Sequence, residues 1–122
     1  MNILVVEDDD EIRGLVVAYL GCLKYEVHEA ADGQKALDLI TYGLRPDVIV
    51  SDVQMPHRCG ASMATAIRTE LGLQIPVVFF SGGYSRRQGQ LIEELGAKIY
   101  MKPYRLHTVP GIIHLELARH AA

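Results

Sequence analysis

No stretch of this sequence approaches the roughly 20 consecutive apolar residues that a membrane-spanning helix needs. Its start, MNILVVEDDD, has no basic segment and runs straight into acid, so it does not read as a signal peptide, and the cytoplasm is the expected location. A basic excess is missing too. The formal charge of −3 offers no surface for nucleic acid, and direct nucleic-acid binding is not expected. Cysteine is scarce: Cys22 and Cys59 stand far apart, outside any metal-ligand spacing, and read as a buried small hydrophobe and an incidental thiol. The histidines form no ligand pair, so a metal site built on His or Cys is not expected. Repeats, low-complexity segments and linkers are absent as well. What remains is a chain of 122 residues with 49% hydrophobic and 22% charged content, expected to fold as one globular domain over residues 1–122.

The apolar runs that do occur are short. Ile3 to Val6 ends in Glu7, Asp8, Asp9 and Asp10, and a helix over Glu11 to Leu23 follows, its apolar residues at helical spacing and its first turn acidic. Tyr25 to Ala30 reads as a weaker edge strand, and Asp32 and Gly33 open a second helix that Gly43 stops. Asp47 to Ser51 is a β-branched run that reads as a buried central strand and delivers Asp52 at its exit. A third helix places Met63, Ala64, Ile67 and Leu71 on one face. Val77 to Phe80 then ends in Ser81, Gly82 and Gly83, a fourth helix spans about Arg86 to Leu95, and a last strand at Lys98 to Met101 ends in Lys102 and Pro103. The fifth helix is placed from near Thr108, with Pro110 in its first turn and Ile112, Ile113, Leu117 and Ala118 facing the core. Strand and helix alternate five times. That pattern predicts an α/β doubly wound, flavodoxin-like parallel sheet of five strands in the order 2-1-3-4-5, with five helices on two faces.

In such a sheet ligands bind outside the carboxyl ends of the strands. Those ends carry Glu7, Asp8 and Asp9, then Asp52, Ser81 and Lys102. Taken singly, each has a routine structural explanation as a cap, a turn residue or a solvated lysine. Together they predict an acidic pocket with a hydroxyl and an ammonium at its rim. Crowded carboxylates demand a counter-cation, and Mg²⁺ suits a few carboxylates completed by water and phosphate oxygens. Asp52 could then attack phosphorus as a nucleophile, while Lys102, the Ser81 hydroxyl and backbone N–H groups near Gly82 stabilise the phosphoryl oxygens.

At LVVEDD (4–9), SDVQMP (51–56), FFSGG (79–83) and MKP (101–103) the chain resembles, over essentially its whole length, the receiver domain of two-component response regulators, a CheY-like family. The resemblance implies that Asp52 accepts a phosphoryl group from a sensor histidine kinase or histidine phosphotransfer protein. It implies Mg²⁺ on Asp8, Asp52 and the backbone carbonyl of Gln54, with Glu7 acting through water, and Ser81 and Lys102 in the family's hydroxyl and lysine positions. It implies a protein that catalyses only its own phosphorylation and dephosphorylation. Output would pass to a downstream protein target through the face of the fourth helix, fifth strand and fifth helix, here Tyr84, Arg86, Arg87, Lys98, Tyr100 and Arg105, and a homodimer formed on phosphorylation is compatible with it.

The sequence departs from the family pattern in places. The aromatic switch position three residues before the lysine is Ile99, with Tyr100 one step later, so either Tyr100 takes the switch role through a shifted strand entry, or Ser81 signals without an aromatic partner. The segment GAKIYMKP is one residue shorter than the common pattern, and Cys59 stands where an acidic residue commonly precedes Gly60. Gln54, two residues after Asp52, and Gly83, two after Ser81, are placed at the mouth of the site as positions that tune the lifetime of the acyl phosphate, and the missing side chain at Gly83 is expected to leave water freer access and give moderate autodephosphorylation. Three other readings compete: a pseudo-receiver that binds proteins without phosphorylation, a flavin carrier, which the four acids after the first strand oppose, and an aspartate-based phosphatase, which Gln54 opposes.

Overall fold

In the computed structural model, which describes residues 1–121, the ends of five parallel strands meet at one edge. The strands are β1 (Asn2–Val6), β2 (Glu26–Ala30), β3 (Val48–Asp52), β4 (Val77–Ser81) and β5 (Ile99–Met101), ordered β2-β1-β3-β4-β5. The helices are α1 (Asp10–Cys22), α2 (Gly33–Thr41), α3 (Gly60–Thr69), α4 (Arg86–Glu94) and α5 (Val109–Ala121). The expected α/β flavodoxin-like arrangement is what forms.

Successive strand residues point to opposite faces, and this splits the core. Ile3, Val5, Val48, Val50, Val78 and Phe80 pack with α1 and α5, while Leu4, Val6 and Ile49 pack with α2 and α3. Phe79 joins Val53, Ala61 and Ile92 in a third cluster between α3 and α4. β1 and β3 are buried on both faces, which is why their sequences are continuous rather than alternating apolar runs.

Most helices are capped from their own loops. Asp9 accepts from the Ile12 amide at 3.0 Å and Asp32 from the Lys35 amide at 2.8 Å, while Ser85 and Gln88 form a reciprocal capping box on α4. Cys59 caps α3 with no side-chain bond.

The structure corrects some boundaries. β3 runs through Asp52, so the carboxylate sits on the last residue of the strand, and Leu71 lies beyond α3. A 3-10 turn (Leu106–Thr108) precedes α5. Ala118 is exposed, and Glu116 takes the buried position on α5 instead, its carboxylate accepting from the Tyr100 hydroxyl at 2.7 Å and from Arg119. β5 has three residues against five in β4, so Val77 and Val78 have no partner in β5.

Candidate functional site

Strand register brings distant residues together. Val6 is level with Ser51, Asp52 with Phe80, and Ser81 with Met101, so Glu7, Asp52, Ser81 and Lys102 leave the sheet side by side. Asp52 and Ser81 are buried, and Glu7 is fully so.

Lys102 spans the acids: its Nζ donates to Glu7 Oε1 at 2.6 Å and to Asp52 Oδ2 at 3.0 Å. One carboxylate oxygen from each of Glu7, Asp8 and Asp52 lies within 4.8 Å of the others. Burial pushes the Glu7 carboxyl up to about 7, the Lys102 contact works against this, and Asp8 and Asp52 add to it. For Lys102 burial works to lower the pKa, but the bonds to Glu7 and Asp52 outweigh it and raise the value. The pocket is therefore short of positive charge. Its hard oxygen donors, three carboxylates facing one ammonium, fit Mg²⁺.

Glu7 is positioned from several sides. The Asp9 amide donates to its Oε2 at 3.2 Å, and Arg13 Nη1 donates to its backbone carbonyl at 2.8 Å while also holding Glu29 and Asp10. Gly60 fixes the other side of the pocket: a Cβ there would stand 2.3 Å from the Asp52 carbonyl oxygen, and its amide donates to the Val53 carbonyl at 2.8 Å.

The Ser81 hydroxyl is turned onto its own loop, donating to the Gly83 carbonyl at 2.6 Å and accepting from the Gly83 amide at 3.1 Å. Gly82 and Gly83 are exposed beside it. Gln54 is exposed, and its carboxamide pairs with Gln88 of α4. Ile99 packs with Phe79 on the α3–α4 face, whereas Tyr100 lies on the α1–α5 face with its ring 5.7 Å from Phe80. Ser81 shares the Phe79 side of β4, so Ile99 is on the face of Ser81 and Tyr100 is not. Tyr84, Arg86, Arg87, Lys98 and Arg105 are exposed, as expected.

Sequence reasoning missed Arg13, Gln88 and Tyr104. The Tyr104 ring lies 5.6 Å from Lys102 Nζ and 4.6 Å from Phe80, and its buried hydroxyl has no hydrogen-bond partner. Burial, then Glu7 and Asp52, push its pKa upward. Its place two residues after Lys102 was the signal available.

The response regulator receiver domain model matches residues 3–110, and the chain belongs to that family. The transcriptional regulatory protein DltR of Streptococcus agalactiae is 36% identical over 119 residues, covering 94% of this chain and 51% of that protein. The chain thus spans about half the length of the curated relatives it matches. Among solved structures, the receiver domain of the hybrid histidine kinase CckA is 33% identical with a TM-score of 0.78, covering 96% of this chain and 99% of the other. Vibrio cholerae CheY4 is 31% identical with a TM-score of 0.82, covering 94% and 97%. Among the described residues no helix is long and apolar enough to cross a membrane.

Proposed function

We propose that this chain is a phosphoacceptor in which Asp52 takes a phosphoryl group from a phosphohistidine of a sensor kinase or phosphotransfer protein. The observation that carries the reading is the Lys102 ammonium, bonded to both Glu7 and Asp52 at the edge where the strand-end acids converge. An Asp52 oxygen forms a P–O bond as the P–N bond to imidazole breaks, and the electron pair leaves on the imidazole nitrogen. Lys102 orients the carboxylate and meets the charge on the transferred oxygens. Asp8, Asp52 and the Gln54 carbonyl would hold Mg²⁺, with Glu7 behind them; the ion, when bound, neutralises carboxylates and phosphoryl oxygens that would otherwise repel. The Ser81 hydroxyl would exchange its Gly83 partner for a phosphoryl oxygen, and the Gly82 amide would assist. Hydrolysis by water returns the Asp52 carboxylate and phosphate, so the chain turns over only its own acyl phosphate.

The signal would leave through the face of α4, β5 and α5 to a protein target, with a phosphorylation-dependent homodimer as one form of output. The family match over residues 3–110 supports reading 1–122 as one receiver domain, the acidic net charge supports its not touching nucleic acid directly, and a cytoplasmic location belongs to the same reading.

Intact mass after incubation with acetyl phosphate tests the reading. One phosphoryl adduct on wild type, dependent on Mg²⁺ and missing from Asp52→Asn, is expected. Its absence from wild type, where a control receiver is labelled, would favour the pseudo-receiver.

A further inference from the structure

Asp52 and Ser81 end adjacent strands, so the loops that follow β3 and β4 form two walls of the same pocket mouth. One pair of side chains joins those walls. Gln54 Nε2 donates to Gln88 Oε1 at 2.8 Å and Gln88 Nε2 donates to Gln54 Oε1 at 3.2 Å, a reciprocal pairing of two carboxamides 34 residues apart. Exposed amides rarely hold one another, because ordering two flexible side chains costs more than a solvated hydrogen bond returns. Here half of that cost is already met. Gln88 is the third residue of α4, its Oε1 also accepts the Ser85 amide at 2.8 Å, and its own amide donates to Ser85 Oγ at 3.1 Å. The capping box thus presents a fixed carboxamide, and Gln54 docks on a rigid partner.

We propose that Gln88 is a positioning residue that holds the Gln54 carboxamide across the gap between the loops after β3 and β4, and so screens an acyl phosphate on Asp52 from water. The proposal rests on the reading of Asp52 as phosphoacceptor. Gly82 and Gly83 begin the second of these loops, exposed and without side chains, so that wall adds no side chain of its own at these two positions. In the hydrolytic step water oxygen attacks phosphorus, the P–O bond to Asp52 breaks, and phosphate and a proton leave. Breaking the amide pair from either end opens the approach to that attack.

The test is the first-order decay of the adduct, followed by intact mass after removal of acetyl phosphate, in Gln54→Ala, Gln88→Ala, the double variant and Ser85→Ala. Losing the pair is expected to speed decay about fivefold in either single variant. The double variant should decay no faster than the singles, since both remove one interaction. Ser85→Ala loses only the bond from the Gln88 amide to Ser85 Oγ and keeps the backbone amide that holds Gln88 Oε1, so it weakens the helix cap, leaves the amide pair, and should decay at the wild-type rate. Gln88→Glu keeps the acceptor for Gln54 Nε2 and should restore slow decay. A wild-type rate in Gln88→Ala, multiplying effects in the double variant, or equal acceleration in Ser85→Ala would each overturn the proposal while leaving the phosphoacceptor reading intact. No adduct on wild type would overturn both.

Discussion

Cys59 occupies the N-cap of α3 and gives that helix no side-chain acceptor. Cys59→Ser is nearly isosteric and supplies the missing oxygen, so chemical denaturation should show a gain of about 1 kcal/mol. Glu7 carries a different kind of information. Its carboxyl, ordinarily near 4.5, is pushed up to about 7 by burial, with Lys102 offsetting part of the effect. A folded-state pKa above the unfolded one means that the protonated form favours the fold. The stabilisation is complete below pH 4.5 and is lost as pH rises through about 7. In EDTA, urea unfolding should therefore show lower stability at about pH 8 than at about pH 5, by up to about 3 kcal/mol, and Glu7→Gln should flatten that slope. Glu7, Asp52 and Lys102 were legible because a parallel sheet gathers its carboxyl ends at one edge, so a residue's place just after a strand is already a place in space. The Gln54–Gln88 pair was not, since neither residue belongs to a periodic pattern and only the folded loops make them neighbours.

At the scale of elements, Gly60 sets how closely α3 approaches the end of β3. Gly60→Ala would press a methyl to within 2.3 Å of the Asp52 carbonyl, and a loss of about 2 kcal/mol is expected in thermal or urea unfolding, with slower phosphoryl uptake as the pocket shifts. The α5 helix is held to β5 by polar contact. Tyr100→Phe removes the hydroxyl that donates to buried Glu116, and should cost about 1–2 kcal/mol by leaving that carboxylate short of a donor, with Arg119 still attached. The sequence reading puts Ile113 on the core face of α5 correctly, yet hydropathy gives a glutamate to solvent and places Ala118 inward where Glu116 is the buried residue. A buried acid becomes legible only once Tyr100 and Arg119 are known to converge on it. The start of α5 was placed within a residue because Pro110 suits a first turn, whereas the 3-10 turn before it left no signature.

For the whole molecule, the three carboxylates at the mouth outweigh one ammonium. Any divalent ion that binds the native pocket and not the unfolded chain must raise stability by mass action, by about 2.7 kcal/mol at a hundredfold its Kd. Titration with Mg²⁺ should accordingly raise the melting temperature, and Asp8→Asn should blunt the response. The brevity of β5 has a consequence of another sort. A sheet with open borders invites neighbouring chains to extend it strand by strand, the route to fibres and precipitates. On one border this protein offers only three residues, flanked by Lys98 and Lys102; on the other, β2 carries the exposed carboxylates Glu26 and Glu29, one on each face of the strand. Copies of the chain are thereby discouraged from meeting through their backbones, so that side chains rather than main-chain hydrogen bonds would decide who pairs with whom.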